Sequence, residues 1–179
     1  MTQIVYDGNF LIADRKCYRG YVTTKSTKIQ HLKIGELDRY YVFSGSFMEC
    51  ALGEEVVESC FDPEVVAKVR SILSKEVLED FYGLMIDVHP TDKRKVFLLN
   101  YAGDAVQIDD AFVAVGAMHG EITVAYKLWE KMNFQRIEDY EGTIPLAGFL
   151  RFVLKGSMFD QEGVEFDCYN INTGYKLCV

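Results

Sequence analysis

The sequence is poor in the residues that build metal centres and disulfide frameworks. It has five cysteines and three histidines, and no two cysteines form a Cys-x-x-Cys pair. An odd cysteine number without such pairs predicts neither a disulfide framework nor a zinc knuckle, and scattered histidines predict no metal-ligand cluster. We therefore expect a protein without a metal or any other cofactor, whose thiols stay reduced in the cytoplasm.

Long apolar runs and an excess of positive charge are also missing. No run approaches the about 18 apolar residues of a transmembrane helix, and the N-terminus lacks the basic and apolar segments of a signal peptide. The chain has 19 Lys and Arg against 27 Asp and Glu, a formal net charge of −8. Nucleic acid and anionic membranes attract clustered positive charge. We therefore expect a soluble, cytoplasmic protein that binds neither nucleic acid nor membrane.

The length and composition fit one globular domain that spans residues 1–179. Hydrophobic residues make up 49% of the chain and charged residues 26%, which is ordinary for a soluble fold with a sizeable core. The sequence contains no linker, no low-complexity segment and no internal repeat. Nothing in it predicts a second domain.

Local patterns predict both strands and helices. Asp7-Gly8-Asn9 is a tight-turn signal between two apolar runs and predicts a β-hairpin. Asp62 followed by Pro63 is typical of a helix start. The predicted strands are Ile4–Tyr6, Phe10–Ala13, Gly20–Thr24, Lys28–Ile34, Tyr40–Gly45, Leu84–Val88, Lys95–Asn100, Ala105–Ile108, Phe112–Gly116 and two within Val164–Val179, broken at Asn172–Gly174. The predicted helices are Ser46–Ser59, Asp62–Phe81, Glu121–Met132 and Ile144–Lys155.

The order of these elements is strands, two helices, strands, two helices, strands. Blocks of strands separated by helix pairs favour a layered α+β domain with antiparallel sheets. A doubly wound parallel sheet would instead alternate single strands with single helices. We therefore predict an α+β fold, arranged as a four-layer αββα sandwich.

Thr2 follows the initiator methionine directly. Removal of Met1 exposes a threonine that carries both a hydroxyl and a free α-amine. Such an amine can accept the hydroxyl proton and so activate the oxygen as a nucleophile. A retained Met1 converts the amine into an amide, and the chemistry then fails. The N-terminus therefore predicts an N-terminal-nucleophile hydrolase, provided that Met1 is removed.

Several segments, taken in order along the chain, carry a family resemblance. They are Thr2–Gly8, Leu11–Lys16, Lys28–Leu32, Phe43–Ser46 and Phe112–Gly116. In this order they resemble the proteasome β-type subunits, which are N-terminal-nucleophile hydrolases. The sequence is most similar to the short, propeptide-free proteasome-like proteins of bacteriophages and bacteria. No single segment is specific, so the resemblance depends on their order and spacing.

The resemblance implies roles for three residues that the strand patterns place on three short strands. Thr2 is the implied nucleophile, with its freed amine as the proton acceptor. Lys28 is expected beside the Thr2 hydroxyl, where its charge lowers the pKa of that hydroxyl. Asp14 is expected to hold the Lys28 ammonium in place. Lys25 and Lys33 compete with Lys28 for the lysine role.

Further site residues also follow from the resemblance. The backbone N–H of Gly45 is implied as the donor to the developing oxyanion, a role that needs open access to the backbone. Phe43 and Phe47 flank Gly45 and are expected to line an apolar pocket for the substrate. Asp167 matches the supporting aspartate that the family carries near its C-terminus.

The sequence also departs from the pattern of active relatives. These usually carry a serine directly after the glycine of the second-half element, whereas here Ala117 follows Gly116. His119 is an alternative hydrogen-bonding group at this point. After Asp167, the nearest match to the usual serine or glycine is Thr173-Gly174. A loose supporting shell is enough to lose catalysis, so these departures count against activity.

Two functions therefore remain open at this stage. The first is a threonine-type peptidase or amidohydrolase that cleaves a peptide or protein by acyl transfer to Thr2 and then to water. The second is a catalytically inactive protein with retained Met1, used as a binding or assembly module. Either way the resemblance implies a homo-oligomer, with a closed ring as one form. The helix segment Ile122–Trp129 is a candidate subunit contact, and an ATPase partner is compatible with the resemblance.

Overall fold

The computed structural model of the protein describes residues 2–19, 22–73, 82–91, 94–100, 104–131, 145–155 and 165–178. For residues 16–19 and 22–25 it describes the backbone alone. The chain divides into two units. The first unit comprises Met1–Thr2 and Ile29–Asp110, and the second unit comprises Gln3–Lys28 and Ala111–Val179.

Helices and strands follow each other in the predicted blocks. In chain order they are β1 (Ile4–Tyr6), β2 (Phe10–Asp14), β3 (Lys16–Arg19), β4 (Val22–Lys25), β5 (Gln30–Ile34), β6 (Leu37–Ser44), α1 (Phe47–Glu58), α2 (Pro63–Leu73), β7 (Tyr82–Val88), β8 (Lys95–Asn100), β9 (Ala105–Ile108), β10 (Val113–Val115), α3 (His119–Lys131), α4 (Pro145–Leu154), β11 (Phe166–Asn170) and β12 (Tyr175–Cys178). Among the described residues these strands form two five-stranded sheets and one two-stranded hairpin, all with antiparallel pairing. The predicted α+β class is confirmed.

The sheet of the second unit is built around the predicted N-terminal hairpin. Its strand order is β10-β1-β2-β11-β12. The Asp7 carboxylate accepts hydrogen bonds from the main-chain N–H groups of Asn9 and Phe10 at 2.9 and 2.8 Å. Gly8 has a φ of +91°, which glycine adopts at little cost. These features confirm the turn and fix the register that pairs Ile4 with Ala13.

Helices α3 and α4 pack on the core of this unit. Ile122 of α3 and Leu150 of α4 are buried in one cluster with residues of β1, β2 and β11. Trp129 lies in the same cluster, with its ring 5.5 Å from the rings of Tyr126 and Phe149. Ile122 and Trp129 therefore serve this unit's own core, and the exposed apolar side chain near them on α3 is Leu128.

The first unit is a meander with the strand order β5-β6-β7-β8-β9. Helix α1 follows β6 directly and begins with a capping box. The Ser46 hydroxyl accepts from the N–H of Glu49, and the Glu49 carboxylate accepts from the N–H of Ser46. This reciprocal pair satisfies two donors that the first helical turn leaves open. It fixes where β6 ends and α1 begins.

The structure corrects the predicted strand positions of two site residues. Thr2 precedes β1, and Lys28 precedes β5, so only Asp14 lies on a strand. The reason is visible at Lys28, whose main-chain N–H donates to a side chain, Asp167, at 2.8 Å. The hairpin of β3 and β4 extends the single strand predicted at Gly20–Thr24. Residues 20–21, 74–81, 132, 144, 164 and 179, which the predicted elements included, lie outside the described residues.

A tight approach at Gly83 gives a test of this packing. Gly83 on β7 pairs with Phe43 on β6 and Leu99 on β8. A Cβ at Gly83 would collide with the Phe43 ring and lie 3.2 Å from the Leu99 Cβ. We expect Gly83→Ala to lower the free energy of unfolding by about 1–3 kcal/mol, the usual cost of overpacking a core. Urea unfolding followed by circular dichroism measures it.

Gly120→Ala is the matched control. Gly120 lies in α3, and a Cβ there meets no atom within 4 Å. Alanine is a better helix former than glycine by about 1 kcal/mol, so this substitution is expected to be neutral or stabilising. Equal losses of stability in the two variants would contradict the packing described for Gly83.

Candidate active site

In the second unit, a carboxylate at the end of β2 binds two partners at once. The Asp14 Oδ1 atom accepts a hydrogen bond from the main-chain N–H of Gln3 at 2.6 Å. Its Oδ2 atom accepts one from the Lys28 ammonium at 2.8 Å. The Asp14 and Lys28 side chains are each only 10% exposed. Removing either member of such a shielded pair leaves the other charge uncompensated, so the pair holds Lys28 at one place.

The second aspartate, Asp167, fixes the main chain that carries Lys28. Its side chain is fully buried, and Oδ2 accepts the Lys28 N–H at 2.8 Å. Its Oδ1 atom lies 3.4 Å from the Nε of Arg15. Strands β2 and β11 pair with Asp167 opposite Ala13, which brings Asp167 beside Asp14. The structure therefore brings together three of the predicted site residues, Asp14, Lys28 and Asp167.

Charges in this group are balanced. Two carboxylates, Asp14 and Asp167, are matched by two cations, Lys28 and Arg15, and we call these four residues the charge cluster. Arg15 also pairs with the more exposed Glu165 at 3.0 Å. Burying a charge costs free energy unless it is paired and hydrogen-bonded. Arg15 was not predicted, although it directly follows Asp14 in the sequence.

Gln3 is a further residue that the sequence did not single out. Its main-chain N–H is held by Asp14, and its side-chain Oε1 accepts the N–H of Met118 at 3.3 Å. The Gln3 Nε2 atom is buried and has no hydrogen-bond partner among the described residues. Met118 directly follows Ala117, at the turn where the sequence departs from active relatives. Gln3 therefore ties the residue after Thr2 to that turn.

Thr2 itself is held within the first unit by Ser44, the last residue of β6. The Thr2 N–H donates to the Ser44 Oγ atom at 3.3 Å, and the Ser44 hydroxyl donates to the Thr2 carbonyl at 3.1 Å. Both residues are buried. A single hydroxyl thus satisfies both main-chain polar groups of Thr2. The strand pattern of β6 gave no signal for this role.

The residues after Ser44 form the start of α1. Gly45 lies between Ser44 and the N-cap residue Ser46, at the end of the helix where the macrodipole is positive. Of the two predicted pocket residues, Phe47 is 75% exposed, whereas Phe43 is 5% exposed. Phe43 packs in the core of the first unit. The two phenylalanines therefore lie in different environments.

The alternatives from the sequence are also located. Lys33 is exposed and pairs with Asp38 at 3.0 Å, so it is Lys28 and not Lys33 that binds Asp14. The side chain of Lys25 lies outside the described residues. The Nδ1 atom of His119 lies 2.9 Å from the Gly116 carbonyl oxygen, a contact within its own turn. Residues 173–174 lie in the turn between β11 and β12.

Other kinds of site find less support in the part of the chain that the structure describes. No helix there is long and apolar enough to cross a membrane, and no three His, Cys, Asp or Glu side chains there are grouped to hold a metal ion. Cys168 lies beside Asp167 on β11, but burial raises the pKa of its thiol to about 12. A protonated thiol is a poor nucleophile.

Comparison with known proteins places the fold. No protein-family model and no curated protein matches the chain. Among solved structures, it is similar to an Anbu (Gly-1) mutant from Hyphomicrobium sp. strain MC1, with a TM-score of 0.67, 12% identity, and 100% of this chain and 87% of that chain covered. It is also similar to Anbu (ancestral beta-subunit) from Yersinia bercovieri, with a TM-score of 0.65, 11% identity, and 100% and 86% covered.

The Anbu complex from Pseudomonas aeruginosa, a helical assembly, also matches, with a TM-score of 0.61, 11% identity, and 99% and 86% covered. The chain thus has the proteasome-like fold of the Anbu proteins. The resemblance to proteasome β-type subunits, and most of all to short phage and bacterial relatives, is corrected: the matched structures are Anbu proteins, and no family model matches. Short strand and helix-start segments recur wherever this fold occurs, so they indicate the fold and not the family.

The charge cluster predicts a large difference between the two acidic partners of Arg15. The Asp167 side chain is fully buried, whereas that of Glu165 is 40% exposed. We expect Asp167→Ala to lower the free energy of unfolding by about 3–5 kcal/mol, because it strands a buried charge. Glu165→Ala removes a solvated partner of the same arginine and is expected to cost about 0–1 kcal/mol. Urea unfolding of both variants measures the difference, and similar values would contradict the cluster.

Proposed function

We propose that this protein is a threonine-type peptidase or amidohydrolase, in which Thr2 becomes the nucleophile once Met1 is removed. The freed α-amine of Thr2 acts as the base, since an α-amine titrates near 7.7–8.0, about the working pH. The Thr2 oxygen attacks the substrate carbonyl and the amine portion leaves. Water then hydrolyses the acyl-enzyme and restores Thr2.

The observation that carries this proposal is the double bond made by Asp14. This carboxylate binds the N–H of Gln3 and the ammonium of Lys28 at 2.6 and 2.8 Å. Gln3 is the residue covalently joined to Thr2. A single buried anion therefore holds both the residue after the nucleophile and a fixed cation. In the proposed mechanism the Lys28 charge stabilises negative charge that develops on the Thr2 oxygen.

The start of α1 supplies the remaining proposed groups. The N–H of Gly45 is the proposed donor to the oxyanion, and the positive end of α1 adds to its effect. Phe43 and Phe47 are the proposed pocket residues. The exposure of Phe47 favours it as the one that contacts a substrate side chain, with Phe43 supporting the pocket from the core. The proposed substrate is a peptide or protein.

A second candidate is a binding or assembly module without catalysis. Two observations favour it. With Met1 attached, the Thr2 nitrogen is an amide that donates to Ser44 and has no basicity. The turn at Ala117 also lacks the hydroxyl that active relatives carry there. The two candidates differ in one measurable property, which is the reactivity of Thr2 after Met1 has been removed.

The test is to release the protein from an N-terminal fusion cleaved directly before Thr2. We expect this form to be labelled by a threonine-directed electrophile, because only a free α-amine can take the Thr2 proton. Intact mass spectrometry and peptide mapping detect the adduct. The Met1-bearing form and Thr2→Ala are expected to remain unlabelled. If the freed form neither labels nor cleaves a peptide library, the protein is the non-catalytic module.

A matched pair of lysine variants tests the role of the charge cluster in the same assay. Lys28 and Lys33 each bind one aspartate, at 2.8 and 3.0 Å, but only Lys28 is buried with its partner. Lys28→Met is expected to slow labelling about 100-fold or more, an effect typical of losing one electrostatic group. Lys33→Met is expected to leave it unchanged, and equal rates in the two variants would contradict the assigned roles.

The same proposal includes a homo-oligomer, with a closed ring as one form. The Anbu complex from Pseudomonas aeruginosa is a helical assembly. Here α3 and α4 expose large apolar side chains, Val124, Leu128 and Phe152, which supports a subunit contact. A single domain over residues 1–179, its four-layer αββα arrangement and a cytoplasmic location also belong to the proposal. No feature of the described residues supports an ATPase partner.

The oligomer is tested by sedimentation velocity at tens of micromolar protein. We expect a species larger than the monomer, and Leu128→Lys is expected to shift it to a smaller one, because a charge then enters an apolar contact. Glu130→Lys places a lysine at a polar, exposed position of the same helix and is the control. A monomeric wild-type protein would count against the assembly.

A further inference from the structure

Ser44 makes two hydrogen bonds to a single residue, and both go to its main chain. Its Oγ atom accepts from the Thr2 N–H at 3.3 Å, and its hydroxyl proton goes to the Thr2 carbonyl at 3.1 Å. Ser44 is 1% exposed, so water does not compete for these bonds. It is the last residue of β6, where pairing with Tyr82 of β7 fixes its backbone.

We propose that Ser44 is a positioning residue for Thr2, in the protein both before and after Met1 removal. The proposal rests on the proposed function of Thr2. A hydroxyl that binds the nitrogen and the carbonyl together restricts rotation about the Thr2 backbone. It thereby fixes the Cα from which the reactive hydroxyl projects. Correct placement of a reacting group is a large part of catalysis, and misplacement by about 1 Å can cost 100-fold.

The direction of the two bonds matters for the chemistry. The Ser44 oxygen accepts from the Thr2 nitrogen, while its own proton is directed to the carbonyl. An amine freed by Met1 removal still has N–H bonds to donate, so the same contact can persist. Because Ser44 does not donate to the nitrogen, the lone pair of the amine is left for the Thr2 hydroxyl proton. Ser44 thus orients the base without occupying it.

Ser59 offers a matched control with the same kind of bonding elsewhere. Its hydroxyl donates to the Val56 carbonyl at 2.9 Å and accepts from the Asp62 N–H at 3.3 Å. It lies at the C-terminal end of α1. Ser44→Ala and Ser59→Ala each remove one hydroxyl with two main-chain bonds, so they separate a local effect on Thr2 from a general loss of stability.

The first measurement does not depend on activity. Hydrogen exchange of the Thr2 amide is followed by NMR in the Met1-bearing protein, with the Val5 amide of β1 as an internal reference. We expect Ser44→Ala to speed Thr2 exchange at least 10-fold relative to Val5, and Ser59→Ala to leave the ratio unchanged. An unchanged ratio in Ser44→Ala would overturn the proposal.

The second measurement uses the des-Met1 protein and a cleaved peptide. We expect Ser44→Ala and the similarly sized Ser44→Cys to lower kcat about 10- to 100-fold with KM nearly unchanged, and Ser44→Thr, which keeps the hydroxyl, to recover most of the loss. Normal kcat in Ser44→Ala would overturn the positioning role. If wild type is inactive but exchange responds as expected, the proposed function fails and Ser44 is only a clamp on the N-terminal segment.

Discussion

The hydrogen bonds of the Asp14 carboxylate are the interaction on which the rest of the candidate site depends. One group of two oxygens joins the main chain at Gln3, the end of β2 and the ammonium of Lys28. Carboxylates pay a large desolvation cost when they are buried, and this cost is offset only when partners surround them. The three segments are thus held at one place by the need to satisfy a single anion.

Around this anion the bonding is almost entirely polar. Asp167 takes the main-chain N–H of Lys28 and faces Arg15, while Ser44 takes both main-chain groups of Thr2. Apolar packing is directionless, whereas hydrogen bonds fix distances and angles. Each unit therefore supplies an apolar core that carries the sheet and a polar group that orients the N-terminal residues. Geometry of this kind is what a preorganised nucleophile needs.

The likeness to Anbu proteins and the site contribute different information. At 11–12% identity the overlap with those structures indicates the proteasome-like fold, and a fold hosts many functions. The argument for hydrolysis comes instead from the buried Lys28 beside Asp14 and from the position of Thr2 at the start of the chain. The argument against it comes from Met1 and Ala117. Both depend on single residues, not on the fold.

The sequence by itself determined the local elements and a good part of the site. The turn at Asp7–Asn9 and the helix start at Asp62 depend on near neighbours in the chain, so they could be predicted, as could the α+β order and the pairing of Asp14 with Lys28. Only the tertiary structure decided that Lys28 lies outside a strand, that Asp167 binds its main chain, and that Ser44, Gln3 and Arg15 take part. These contacts join residues far apart in the chain, and strand pairing across a folded sheet creates them, so no local pattern can carry them.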